Sequence, residues 1–152
     1  MRLALRAVLG GDAFPEIGRP SGVHWDRAGE RLAIAGSLWD LQWHARDLHT
    51  SSKLAYRVCV YDVGLRRLAV LDRLRYPVND IAFHPTQPLI AVATGRYDGG
   101  MYYEGDLWLW DVTTGAATSL LDEQREVTRC HFSNDGDRLL LTLKPITDED
   151  EE

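Results

Sequence analysis

Short apolar segments alternate with polar turns along most of the chain, from residue 20 to residue 143. The most distinctive segment is 106–115, in which Leu and Trp residues are followed by Asp, Thr and Gly. This order predicts a short strand buried on both faces, with a tight turn after it. Segment 56–64 has the same build, with a Tyr-Asp pair in place of the later Trp-Asp pair. The two aspartates, Asp62 and Asp111, lie 49 residues apart, a period typical of repeat architectures.

A hairpin of two short apolar strands recurs three times. Its copies begin at Val23, Ile81 and Cys130. In the first copy, Gly29 supplies the positive φ that the turn requires. If the strands of one unit are named a to d, the chain contains two complete units and a final a–b pair. Before them, alternating apolar residues over 3–9 predict one more strand.

The repeat predicts an organisation in five parts. These are an N-terminal strand and connector over 1–20, a first unit over 21–76 with a long b–c insertion, a second unit over 77–124, a partial third unit over 125–147, and an acidic tail over 148–152. Within the insertion, apolar residues at helical spacing predict a short helix that starts near Leu38. The tail is most simply interpreted as a solvated, disordered segment.

Composition and charge exclude several classes of function. The 152 residues suit one domain, and 45% apolar with 26% charged residues is ordinary for a folded protein. The net charge is −6 and the Lys and Arg residues are scattered, so we expect no nucleic-acid or membrane partner. Cys59 and Cys130 lie in apolar strand patterns without CxxC spacing, which predicts buried small hydrophobes. No signal-peptide or membrane-helix pattern is present, which favours a cytoplasmic location.

Residues suited to catalysis or metal binding form no recognised pattern. The sequence contains no GxSxG, Walker or HExxH motif, so we expect no enzyme activity, no cofactor and no metal site. His44, Asp47 and His49 lie within six residues, but their spacing matches no known metal motif. Carboxylates such as Asp26 and Asp62 end strands or make turns.

Large aromatic residues concentrate in the two b–c links, 37–54 and 96–105. Tyr, Trp and Arg are the residue types enriched at the energetic centres of protein interfaces. The candidate partner-binding residues are therefore Trp39, Trp43, Arg96, Tyr97, Tyr102 and Tyr103. The alternative is that these side chains fold back over the strand ends and form small local cores.

The units resemble WD40 repeats. The resemblance covers nearly all of 20–143 and rests on a V-x-x-(I/C)-x-F pattern at Val78, Ile81, Phe83 and at Val127, Cys130, Phe132, on the turns at 26–29 and 134–136, and on the pairs Trp110-Asp111 and Tyr61-Asp62. The Gly-His dipeptide that the family places before strand a is absent. The resemblance therefore leaves open whether the hydrogen-bond network between that His and the strand-c Trp exists here.

The resemblance implies an all-β fold, a partial β-propeller of four-stranded antiparallel WD40-like blades. It also implies that the b–c and d–a loops share one face of the disc, which commonly receives partner peptides. The expected function is a non-enzymatic protein–protein interaction scaffold. The alternative is an oligomeric carbohydrate-binding propeller lectin, because aromatic rings also hold sugar rings.

The number of blades leaves the closure of the ring open. Closed propellers need about four to eight blades, and this sequence provides fewer than three. The chain could belong to a longer propeller, with the strand over 3–9 completing its last blade. Identical chains could instead assemble into one ring, or a different chain could supply the remaining blades.

Overall fold

The computed structural model describes residues 15–38, 56–97, 103–121 and 125–144. Across these ranges the chain is all-β, with ten strands and no helix. The strands are β1 (Arg19–Trp25), β2 (Arg31–Ser37), β3 (Tyr56–Asp62), β4 (Arg67–Leu74), β5 (Val78–Phe83), β6 (Leu89–Tyr97), β7 (Tyr103–Asp111), β8 (Ala117–Ser119), β9 (Val127–Phe132) and β10 (Leu139–Leu143).

The strands form three antiparallel sheets, here called blades 1, 2 and 3. Blade 1 has the order β1-β2-β3-β4, blade 2 has the order β5-β6-β7-β8, and blade 3 is the pair β9-β10. Within each blade, every strand therefore pairs with its neighbours in sequence. Tyr61 lies opposite Leu32 in blade 1, and Trp110 lies opposite Ile90 in blade 2. The predicted all-β fold with four-stranded antiparallel blades is confirmed.

The first strand is longer than the sequence predicts. It begins at Arg19 rather than at Val23, so part of the predicted connector belongs to β1. The register shifts between Pro20 and Gly22, and proline, which lacks an N–H group, is confined to edges and bulges of sheets. Residues 19–22 read Arg-Pro-Ser-Gly, which contains no apolar run that would predict this part of the strand. Three predicted segments lie outside the described residues, namely the strand over 3–9, most of the helix that starts near Leu38, and the tail over 148–152.

The blades pack face to face, and β6 supplies both faces of the middle sheet. Ile90 and Val92 belong to the core shared with blade 1, whereas Ala91 and Ala93 belong to the core shared with blade 3. Successive side chains of a strand point to opposite faces, so a strand covered on both faces reads as a continuous apolar run. This accounts for the unbroken apolar segment at the start of β6.

The face of blade 1 that points away from blade 2 is covered in part by residues 15–18. Ile17 is fully buried in a cluster that includes Cys59 and Tyr61. The Tyr61 hydroxyl donates to the Glu16 carboxylate over 3.0 Å, and Arg57 Nη1 donates to the Glu16 carbonyl over 3.0 Å. Burial raises the pKa of Tyr61, so the phenol stays protonated and available as a donor.

Aspartate side chains close the turns at one end of the blades, as predicted. Asp62 Oδ1 accepts from the backbone N–H groups of Gly64 and Arg66, each over 2.9 Å. Asp111 Oδ1 accepts from the Thr114 N–H over 3.1 Å. The Arg66 N–H lowers the pKa of Asp62, and the Thr114 N–H lowers that of Asp111. Both aspartates therefore act as charged acceptors that hold tight turns.

Asp80 connects the first strands of all three blades. Its Oδ2 accepts from the Cys130 N–H of β9 over 3.0 Å, and its Oδ1 accepts from its neighbour Ile81 over 2.9 Å. His24 Nδ1 of β1 lies 3.6 Å from the same Oδ1.

Cys130 and Cys59 are buried free thiols, which confirms the prediction for both cysteines.

Candidate functional site

The two ends of the blades carry different connections. The a–b and c–d turns lie at one end, here called the turn face. The b–c and d–a links lie at the other end, here called the link face, because consecutive strands run antiparallel. Arg96 and Tyr97 end β6 and Tyr103 begins β7, so these three predicted residues share the link face. The predicted residues Trp39, Trp43 and Tyr102 lie outside the described residues.

Two tyrosines pack together at the tip of the β6–β7 hairpin. Tyr97 and Tyr103 are opposite each other in the register, and their ring centroids are 5.1 Å apart at an interplanar angle of 44°. Lys144 Nζ lies 5.2 Å from the centroid of the Tyr103 ring. Tyr97 remains 44% exposed. The pair therefore presents aromatic surface to solvent, and eight further residue pairs of the β6–β7 ladder hold it in place.

Two arginines converge on a third tyrosine, Tyr76. The guanidinium carbon of Arg75 lies 5.4 Å from the Tyr76 ring centroid, and that of Arg96 lies 6.0 Å from it. These distances are within the range of cation–π contacts. Arg96 Nη2 also lies 3.7 Å from Glu104 Oε2 across the hairpin. The predicted Arg96 is thus joined to the d–a link between blades 1 and 2.

Tyr76 is almost fully enclosed. It is 5% exposed, and its hydroxyl is buried without a hydrogen-bond partner within the described residues. Burial, with a smaller contribution from the Glu104 carboxylate, raises the pKa of Tyr76. The phenol therefore remains protonated near neutral pH and can donate a hydrogen bond.

A cavity with a volume of about 340 Å³ opens beside Tyr76. This volume is at the lower end of the range for ligand pockets, ~300–1,000 Å³. Its walls are formed by Arg75, Tyr76, Gly105, Asp106, Trp108, Ser119 and Leu121. Asp106 Oδ1 accepts from the Ser119 hydroxyl and from the Leu107 N–H, each over 2.7 Å. We call this space the Tyr76 cavity.

A pair of glycines brings the link into β9 against the same hairpin. Gly95 and Gly105 are opposite each other in the register. A Cβ at Gly95 would lie 2.7 Å from the Cα of Glu126, and a Cβ at Gly105 would lie 2.7 Å from the carbonyl oxygen of Arg125. Only glycine allows so close an approach of another backbone. The two glycines therefore allow the link into β9 to pack against the hairpin, which places blade 3 beside the Tyr97–Tyr103 pair.

Sequence reasoning missed Arg75 and Tyr76. Both lie in the short d–a link, where no periodic pattern is present, and the contact of Tyr76 with Arg96 depends on how two blades pack. The available signal was the Arg-Tyr-Pro triplet directly before strand a. This triplet places Tyr76 between an arginine and the start of strand a, so Tyr76 could have been predicted as a site residue together with the aromatic residues of the b–c links.

Within the described residues, no group of three or more His, Cys, Asp or Glu side chains could hold a metal ion. No helix in this part of the chain is long and apolar enough to cross a membrane. The cluster of His44, Asp47 and His49 lies outside these ranges.

Comparison with known proteins supports the fold. No family model and no curated protein matches the chain. A chain in the crystal structure of the mitotic checkpoint complex is similar over 82% of this chain and 35% of that chain, with a TM-score of 0.51 and 16% sequence identity. This likeness supports the fold described above, an all-β architecture of WD40-like propeller blades. The chain spans 35% of the length of this neighbour.

Proposed function

We propose that the chain is a non-enzymatic protein-interaction module that contacts its partner through the link face. The observation that carries the proposal is the basic–aromatic cluster on that face. It consists of Arg75, Tyr76, Arg96, Tyr97, Tyr103 and Lys144. Tyrosine and arginine are enriched among the residues that dominate binding energy at interfaces. The similar chain comes from a multi-protein complex, which also supports a protein partner.

The cluster is suited to binding because its aromatic part is rigid. The β6–β7 hairpin is paired from Leu89 and Asp111 to Tyr97 and Tyr103 without a register shift. A tyrosine has few rotatable bonds, so an ordered tyrosine pair provides contact area at a low cost in conformational entropy. The positive charges of the flanking Arg75, Arg96 and Lys144 help to orient the partner on this face.

The proposal includes completion of the propeller by further β structure, either in a larger propeller or from another chain. On β10, Leu140, Leu141 and Leu143 are 36–46% exposed, whereas Ile90 and Val92 of β6 are fully buried. β9 is the neighbour of β10 within the described residues. Native proteins usually cover or blunt an apolar strand with an open edge, because such an edge pairs readily with other chains.

Replacing both Arg96 and Tyr97 with Ala should weaken partner binding about thirtyfold, as truncation of a hot spot does. The full chain would be immobilised and exposed to a lysate of its source cells. The recovered protein would be identified by mass spectrometry, and its affinity would then be measured by biolayer interferometry. Arg66→Ala with Val63→Ala is the matched control, because both residues are exposed on the turn face. Equal affinity of the two double variants for the same protein would refute the proposal.

A further inference from the structure

The Tyr76 cavity has the chemistry of an anion-binding site for a peptide. We propose that it receives an acidic side chain of an extended segment of the partner protein, held by Arg75, which lines the cavity, with Arg96 adding positive charge beside the same tyrosine ring. This inference rests on the proposed function, since it names the partner chemistry of the same face.

The arginine geometry is the first argument. Arg75 and Arg96 approach the same buried ring, at 5.4 and 6.0 Å from its centroid. Both are exposed, and the Arg96 side chain retains 49% of its accessible surface. A guanidinium group over an aromatic face keeps N–H donors along its edge, and those donors match the geometry of a carboxylate.

The local charge balance is the second argument. Three cations, Arg75, Arg96 and Lys144, and two carboxylates, Glu104 and Asp106, lie on this part of the link face, and of these Arg75 and Asp106 line the cavity itself. Glu104 lies 3.7 Å from Arg96, which is longer than a hydrogen bond. Asp106 Oδ1 already accepts from two donors of its own blade. The Asp106 carboxylate is therefore engaged within its own blade, whereas the exposed Arg75 can meet an acidic side chain of the partner.

The cavity itself is the third argument. Tyr76 lines it and carries a buried hydroxyl without a hydrogen-bond partner in the described part of the chain. A seated carboxylate would offer the acceptor that this hydroxyl lacks. Trp108 and Leu121 provide apolar wall for the methylene groups of an Asp or Glu side chain.

The same features favour a peptide over a nucleic acid. Three cations interspersed with two carboxylates do not make the continuous basic track that a phosphate backbone requires. A cationic segment would meet Arg75 and Arg96 directly and would be repelled. An acidic, extended peptide satisfies both the charge and the shape.

The test is fluorescence anisotropy with a labelled synthetic peptide of alternating Asp and Gly residues and the full chain. A peptide with Asn in place of Asp should bind at least about tenfold more weakly. Arg75→Gln and Arg96→Gln should each weaken the Asp peptide about tenfold, the effect of losing one charge-assisted hydrogen bond. Raising the salt concentration from about 0.05 M to about 0.5 M should also weaken binding of the Asp peptide to the unsubstituted chain, because exposed charges are screened.

Arg27→Gln is the matched control, since Arg27 is an exposed arginine in the a–b turn on the turn face. It should leave binding unchanged. Equal binding of the Asp and Asn peptides would overturn the inference. So would an equal effect of Arg27→Gln and Arg75→Gln, or binding of a single-stranded oligonucleotide but not of the Asp peptide.

The outcomes separate this inference from the proposed function. If the Arg96 and Tyr97 substitutions abolish partner capture but the Asp peptide does not bind, the interaction face stands and the acidic chemistry is wrong. If those substitutions leave partner capture intact, the proposed function itself is wrong.

Discussion

Replacing Trp110 with Ala should lower the free energy of unfolding by about 3–5 kcal/mol, the usual cost of removing a buried aromatic side chain. Trp110 is 1% exposed and lies in the core between blades 1 and 2, together with Val58 and Leu71. Its loss would leave a cavity where the two blades meet. Urea unfolding followed by far-UV circular dichroism measures the change, since tryptophan fluorescence would itself be altered.

Trp110→Phe is the informative control. Trp110 Nε1 is buried without a hydrogen-bond partner in the described residues, and Ile90 faces it in the register. The WD40 resemblance left open whether the strand-c Trp takes part in a hydrogen-bond network. Within the described residues, the indole N–H of Trp110 makes no such bond. Phe keeps most of the packing and removes an unsatisfied donor, so it should cost much less than Ala. Equal losses for Phe and Ala would show that the indole N–H does have a partner.

Replacing Gly105 with Ala should lower the free energy of unfolding by about 2–3 kcal/mol, the upper range for overpacking. The added Cβ would lie 2.7 Å from the Arg125 carbonyl oxygen and 2.8 Å from the Glu126 Cα, and closer still to the Thr94 carbonyl oxygen. All three are backbone atoms, so no rotamer change can relieve the contact. The backbones of the β6–β7 hairpin and of the link into β9 must both shift instead, and blade 3 should loosen from blade 2.

Gly22→Ala is the matched control for Gly105→Ala. A Cβ at Gly22 would meet nothing closer than 3.4 Å, which is ordinary contact distance. Denaturant unfolding gives the stability difference, and hydrogen exchange of β9 and β10 reports whether blade 3 separates. Equal stability and equal exchange in the two variants would show that the d–a link does not depend on the glycine pair.

The fold could be predicted where both faces of a strand are buried. The apolar run of β6 follows from blades packed on either side, and that of β3 follows from blade 2 on one face and residues 15–18 on the other. Asp62 and Asp111 mark the turns after strand c. The start of β1 could not be predicted, because Pro20 lies beside a register shift and the strand residues before Val23 form no apolar run.

The candidate site could be predicted only in part. Arg96, Tyr97 and Tyr103 lie together because a hairpin joins them, and a hairpin can be predicted from local sequence. Their link to Tyr76 depends on the packing of two blades, which no local pattern encodes. Binding by Trp39, Trp43 and Tyr102 stays a prediction, as does the carbohydrate-binding alternative.

The central claim is that the link face, and not the turn face, contacts the partner. Site-specific photocrosslinking tests it directly, with a photoreactive phenylalanine placed at Tyr97 in one variant and at Val63 in another. Tyr97 is exposed on the link face, and Val63 is exposed in the c–d turn of the opposite face. We expect a discrete crosslinked product with the captured partner from the Tyr97 variant and none from the Val63 variant. A product from Val63 alone, or equal yields from both, would contradict the account.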